Sequence, residues 1–416
     1  MTEWETSPVN ELCSDVVDCV NKTAPSVPGP TPYKMLRTTN VRSGWIDTDS
    51  VRFVERPVFE RWTRRLLPRR GDVVLTREAP LGEVGMIRSD DELFLGQRLV
   101  LYRADPDRCD ARFLLYAFLA PAAQAELRRL GSGSTVEHLR VPDCEIIPIL
   151  HPPLEGQRRI GAVLGAIDDL IENNRRRVEL LEQMAQAIYR EWFVHFRFPG
   201  HEDSKFVDSP LGPIPHGWDV NALSAIAEEV RVSVKPSDET EALPYVPIDS
   251  IDAKSVTLRS FRPGSEAASS LRLFEAGDVL FGAMRAYFHK VCIAPFRGVT
   301  RSTCFVLRPA PDRYHFAAMT LADPETVAYA AAHSTGSTIP YAKWSGVLSE
   351  MPIRRPPATV AGAFGDAVAP LLVEAQKLVP QNRGLESIRD LLLPKLVTGQ
   401  IDVSELDPDA LVEAVV

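Results

Sequence analysis

Cysteine is scarce in this 416-residue sequence: six residues, at positions 13, 19, 109, 144, 292 and 304, never arranged as CxxC or as a Cys/His ligand set. Neither a disulfide framework nor a zinc site can be built on that spacing, so the thiols read as reduced. Long apolar runs are missing too. No uninterrupted stretch approaches the ~20 residues a membrane span requires, and the opening MTEWETSPVNE lacks the basic-then-apolar build of a signal peptide. The reading is of a cytoplasmic protein with no membrane partner. Positive charge is in deficit, since 47 Lys and Arg against 56 Asp and Glu leave a net charge of −9. That excludes a surface uniformly coated for nucleic acid. Enzyme signatures are also absent: GxGxxG, GxxxxGKS/T, HExxH and GxSxG occur nowhere. PDCEI at 142–146 resembles a nuclease core, but no lysine follows the acid, and no metal site is read there. The eight histidines are dispersed, and His195 and His289 read as structural or surface residues rather than catalytic ones.

What is present is an ordinary globular composition, 45% hydrophobic and 25% charged, over a length that predicts two or three domains. Arginine is unevenly placed. Residues 52–77 hold eight arginines and three acids, whereas from Pro356 onward there are four basic residues and nine acids. Such a cluster offers either a local phosphate-facing surface or a solvated loop. The organisation shows in an internal repeat. Trp4, Val9, Leu12 and Val16 recur 214 residues later as Trp218, Leu223, Ile226 and Val230. GDVVL at 71–75 returns as GDVLF at 277–281, GSGST at 131–135 as STGST at 334–338, and the proline pair 152–153 as 356–357. The common order, with the offset drifting from 214 to 204, indicates a duplicated unit with deletions in its loops. SPLGPIPHGW at 209–218 holds three prolines and two glycines, reads as an extended linker, and marks where the second copy begins.

Each copy closes on a helical pattern. Ile160, Leu164, Ile167, Ile171, Asn174, Val178, Leu181, Ala185, Ile188 and Trp192 alternate spacings of four and three, a heptad seam. Shifted by 204, the same positions read Phe364, Val368, Leu371, Ala375, Leu378, Asn382, Leu385, Arg389, Leu392 and Leu396. The seams are expected to pair with each other, with Asn174 and Asn382 setting register. Pro370, Pro380 and Pro394 predict a kinked or broken second helix. Ahead of each seam, β-like runs such as DVVLT, RLVLYR, KVCIA and TCFVLR accompany helical ARFLLYAFLA and ETVAYAAA, which indicates mixed α/β (α+β) globules. GSGST lacks the lysine of a nucleotide loop, and offers backbone N–H groups and hydroxyls for DNA phosphates or base edges, or an ordinary turn.

Three stretches carry a family resemblance. PPLEGQRRIGAVLGAIDDLIENNRRRVELLEQMAQAIYREWF (152–193), SPLGPIPHGWDV (209–220) and LESIRDLLLPKLVTGQI (385–401) resemble the conserved regions of the DNA-specificity subunit of type I restriction-modification systems. PPATVAGAF stands where the first copy has PPLEGQRRI, a departure at the start of the second helix. The resemblance implies two target recognition domains alternating with two long conserved helices that pair as an antiparallel coiled coil, a pseudo-twofold repeat. In residue ranges this is a first recognition domain over 1–153, a central helix over 154–198, a linker over 199–216, a second recognition domain over 217–355, a C-terminal helical region over 356–402 and an acidic tail over 403–416. It further implies a bipartite double-stranded DNA target and adenine methylation by two methyltransferase subunits that bring S-adenosylmethionine. A motor-nuclease subunit, using ATP and Mg, would complete the complex. This chain would hold no cofactor and catalyse nothing.

Contact residues are expected on the loops that follow the GDV strands. In the first copy these are Arg77, Gln97, Arg98, Ser132, Ser134 and Thr135; in the second, Arg285, Tyr287, Lys290, Arg301, Ser337, Thr338, Tyr341 and Lys343. Arg can fork onto guanine and Gln onto adenine, while Lys serves phosphate. Two other readings stand beside this one: a standalone DNA methyltransferase or nuclease, which would need a cofactor loop or acid set, and a coiled-coil scaffold binding only proteins.

Overall fold

A computed structural model of the chain describes residues 4–132 and 137–403. Two compact units form, Met1–Ile171 with Gly384–Val416, and Glu172–Arg383. The division falls inside two long helices, a central one at Leu154–Tyr189 and a closing one at Ala358–Leu396.

In the first unit β1 (Cys13–Asp18), β2 (Val73–Arg77), β3 (Leu81–Met86) and β4 (Leu99–Ala104) form an antiparallel sheet in the order β1-β4-β2-β3. Alternate side chains of a strand go to opposite faces. Val73, Leu75, Val100 and Tyr102 pack toward helices α1 (Ala111–Leu119) and α2 (Pro121–Leu130). Val74, Leu99 and Leu101 pack on the other side with Leu36 and Leu93. Burial on both faces is why these strands read as unbroken apolar runs. Gly71, at φ +91°, turns the chain into β2 in a conformation that side chains resist. Its neighbour Asp72 is 2% exposed and accepts from the Arg69 backbone N–H at 2.8 Å and from Arg103 at 2.8 and 2.7 Å.

The second unit repeats this plan. Strands β5 (Ala227–Glu229), β6 (Val279–Gly282), β7 (Val291–Ile293) and β8 (Cys304–Pro309) take the order β5-β8-β6-β7. Val279, Phe281 and Leu307 face α3 (Tyr314–Ala322) and α4 (Pro324–Ala332), and Leu280, Cys292 and Val306 face the other side. Gly277 has φ +90°, and Asp278 accepts from the Glu275 N–H at 2.9 Å and twice from Arg308 at 2.8 Å. The GD repeat in sequence is thus one turn built twice. The copies diverge in their smaller sheets: Tyr33–Leu36 runs parallel to Glu92–Leu95, whereas Leu271–Phe274 runs antiparallel to Gly298–Arg301. SPLGPIPHGW is more ordered than its composition predicts. Ile214–Pro215 pairs with Phe206–Val207, and Ile214 and Trp218 are buried among Phe193 and Phe198, so apolar contact holds what the prolines alone would leave open.

The helices pack within each unit as the seam predicts, with corrections. In the second unit Val178 meets Ala375 and Leu378, Asn174 donates to Asn382 at 2.9 Å, and Arg177 pairs with Glu374 at 2.9 Å, an antiparallel progression. In the first, Ile160 and Leu164 share a core with Leu393 and Leu396. Leu372, 4% exposed, takes the buried place expected of Leu371. The closing helix is also continuous from Ala358 to Leu396 rather than broken. Pro370 and Pro380 sit on its exposed face, where a missing N–H opens toward solvent instead of the core. By length and mean hydropathy, 1.3 over 18 residues, this helix is apolar enough to cross a membrane, which a search for uninterrupted runs misses. In the second unit, however, its Phe364, Val368 and Leu372 are buried in the core that holds α3 and Trp218.

Candidate nucleic-acid interface

The loops expected to touch DNA are laid out by the same backbone bonds in both units. After β2, the Leu139 N–H donates to Arg77 O at 2.9 Å, the Arg77 N–H donates to Arg98 O at 2.8 Å, and Ser132 and His138 exchange both bonds at 3.0 and 2.9 Å. After β6, the Ala342 N–H donates to Ala283 O at 2.9 Å, the Ala283 N–H donates to Thr303 O at 2.8 Å, and Thr335 and Tyr341 exchange both bonds at 2.9 Å. Glu78 bridges to His138 as Met284 does to Tyr341. The left-handed Ala79 and Arg285, both at φ +51°, follow in corresponding places. One framework therefore presents two different sets of side chains.

The first set is partly committed to the protein itself. Arg77 is half-buried and its Nη1 donates to Leu139 O at 2.9 Å. Gln97 is half-buried and accepts from Thr23 at 3.0 Å. Arg98 is exposed at φ +71° and pairs with Glu78 at 3.3 Å. Ser132 is exposed, and Ser134 and Thr135 lie outside the described residues.

In the second set, Lys290 donates to Ile248 O at 3.0 Å and is half-buried. Arg301 is exposed at the end of Gly298–Arg301; burial pushes the Tyr245 phenol above its ordinary value, and the Arg301 charge opposes that rise. Arg285 is half-buried, and Tyr287, Ser337, Thr338, Tyr341 and Lys343 are exposed. The Arg285 N–H donates to Pro340 O at 2.8 Å, so the 283–290 and 335–343 loops abut. Lys290 is thereby anchored to another segment, at Ile248.

One feature escaped the sequence, and another, the arginine run, has two readings there. Phe288 and Ile339, 49% and 44% exposed, extend the apolar tip of the second set; the aromatic dipeptide after the GDV strand was the available signal. In the first unit Arg52, Arg61, Arg64 and Arg69 are all exposed, while Arg65 and Arg70 pair with Asp18 and Asp90. Four arginines of the run are therefore open to solvent and take no part in the ion pairs that occupy Arg56, Arg65 and Arg70. Among the described residues no group of three His, Cys, Asp or Glu side chains is placed to hold a metal.

A family model of the type I restriction modification DNA specificity domain matches residues 1–183. The chain is similar, at 28% identity over 358 residues, to the type I restriction enzyme MjaIX specificity subunit of Methanocaldococcus jannaschii, a match over 82% of this chain and 80% of that one. Over 160 residues it is 29% identical to the MjaVIII specificity subunit of the same organism, covering 37% of each chain. In fold it is similar to the crystal structure of the type I restriction-modification S subunit from M. genitalium, with a TM-score of 0.57 at 15% identity, over 95% of this chain and 96% of that one.

Proposed function

We propose that the chain is a DNA-specificity subunit of a type I restriction-modification system, as the family match over residues 1–183 and the similarity to the MjaIX specificity subunit support, and that it recognises a bipartite double-stranded DNA target, each unit reading one half. Its role is recognition rather than catalysis. The supporting observation is the duplicated loop framework: the same hydrogen bonds carry Arg77, Ser132 and His138 in one unit and Ala283, Thr335 and Tyr341 in the other. A conserved scaffold with divergent tips suits two unlike half-sites, since base edges are discriminated by side-chain donors and acceptors. Gln97, Arg98 and Ser132 contact one half-site, for which Ser134 and Thr135 are candidates by sequence alone; Arg285, Tyr287, Arg301, Ser337, Thr338, Tyr341 and Lys343 contact the other. Arg77 and Lys290, tethered to carbonyls, hold the loops in place and add positive potential.

In this reading two methyltransferase subunits dock on the helical regions, bring S-adenosylmethionine and methylate an adenine in each half-site, and a motor-nuclease subunit using ATP and Mg adds restriction. The test is a map of methylated adenines in a host carrying the whole system, with and without this chain. A split motif that disappears with the chain is the expected result; methylation unchanged by its loss refutes the proposal.

A further inference from the structure

The second unit carries a feature that its counterpart lacks. Arg285 (φ 51°, ψ 57°) and His289 (φ 53°, ψ 53°) are both left-handed and enclose the short turn Ala286–Phe288. Non-glycine residues hold this conformation only where the surroundings impose it, and such strain gathers at functional sites. Here the anchors are visible: the Arg285 N–H donates to Pro340 O at 2.8 Å, His289 Nε2 donates to Ala322 O at 2.8 Å, and the Lys254 N–H donates to His289 O at 2.8 Å. What these anchors hold outward is apolar. Tyr287 and Phe288 are 56% and 49% exposed with ring centroids 4.7 Å apart, and Ile339 and Tyr341, at 44% and 38%, stand on the abutting loop.

Single exposed apolar residues need no explanation, but a contiguous group on a braced loop marks a contact surface. Its setting selects the partner. The charged residues in 283–290 and 335–343 are Arg285, Lys290 and Lys343, with no acid in either segment. Cations around aromatic side chains fit nucleic acid: the cations meet phosphate, and the rings stack on bases or wedge between them. In the places of Tyr287 and Phe288 the first unit has Leu81, half-buried, and Gly82, without an aromatic ring, and Glu78 on the same loop is paired to Arg98.

We propose that Tyr287 and Phe288 form a wedge that unstacks one base step inside the half-site read by the second unit, and that the first unit reads its half-site without one. This rests on the DNA-reading role proposed above. The test uses the chain assembled with its methyltransferase partner, without S-adenosylmethionine, on a duplex carrying the mapped methylation site. The probe is 2-aminopurine, placed at successive positions other than the methylated adenine. Binding should raise its fluorescence at one step of the half-site whose recognition depends on Arg285, and at no step of the other. Tyr287→Ala with Phe288→Ala should abolish that rise and weaken binding about tenfold, in the range of a lost base–aromatic stack. Tyr287→Leu with Phe288→Leu, which keeps apolar bulk, should restore part of the rise.

Sequence-specific binding with no rise at any position overturns the wedge, as does a rise that survives the alanine pair. If the alanine pair blocks assembly with the methyltransferase in the absence of DNA, the patch is a protein-docking surface and the proposal is wrong. Loss of all sequence preference in the unmodified complex refutes the DNA-reading role itself, and the wedge with it.

Discussion

Asp72 and Asp278 show what a repeated dipeptide means once side chains are placed. Both are 2% exposed, and both hold an arginine and a backbone N–H, yet Arg103 is 12% exposed while Arg308 is 43% exposed. Removing one partner of a buried pair leaves an unpaired charge, so Asp72→Ala should cost about 3–5 kcal/mol. Asp278→Ala strands an arginine that water can reach, and should cost about 1–3 kcal/mol. Chemical denaturation of the two variants checks the order; equal losses would mean that the backbone bonds, not the arginines, dominate. Among the reading candidates, Arg77 and Lys290 looked equivalent to Arg98 and Arg301 in sequence because residue type says nothing of tethering. Their carbonyl partners sit 62 and 42 residues away. Arg77→Ala should therefore weaken binding without relaxing base preference, whereas Arg285→Ala with Arg301→Ala should relax one half-site by about 1–3 kcal/mol per lost base contact. Quantitative methylation of single-base variants of the target separates the two outcomes.

At the scale of elements, the seam was legible because a heptad is a local pattern. What holds the helix to the globules was not. Glu182, 4% exposed on the central helix, accepts from Ser255 Oγ at 2.8 Å and the Thr257 N–H at 2.7 Å, and lies 3.6 Å from Arg259. Asp168 on the same helix accepts from Tyr116 at 2.8 Å and pairs with Arg88 at 3.2 Å and Arg389 at 3.0 Å. Burial, with the Asp168 charge beside it, pushes the Tyr116 phenol far above its ordinary value. Each carboxylate ties the helix to a globule in its own unit, and Arg389, a break in the apolar seam, is explained by its partner. The Asn174–Asn382 bond should behave as a coupled pair: either change to Ala costs about 1–3 kcal/mol, and the double variant costs less than the sum. A double-mutant cycle by thermal unfolding measures this, and strict additivity would deny the bond.

For the whole molecule the expectations concern DNA. Sequence-specific binding of the assembled complex should fall steeply with salt, with a log–log slope of about −6 or steeper if some seven phosphates are neutralised. Exposed Arg52, Arg61, Arg64 and Arg69 contribute to it, so replacing these four by Ala should flatten the slope and weaken binding to all sequences alike. A slope near zero, or a variant that alters base preference, would remove these arginines from the interface. The two units should also be separable: changes at Arg285, Tyr287 and Arg301 leave the other half-site's preference untouched, because each unit has its own sheet and core.

The sequence by itself determined the duplication, the seam, the mixed α/β character and the family resemblance, since these rest on periodicities and motif order that survive without coordinates. Tertiary structure decided the rest for reasons of distance. The GD turn became a buried carboxylate only when an arginine about 30 residues on came back beside it. The closing helix stayed whole past Pro370 and Pro380 because both fall on the face turned from the core. The candidate contact loops became two versions of one framework only when segments some 60 residues apart exchanged backbone bonds, which no local pattern of side chains records.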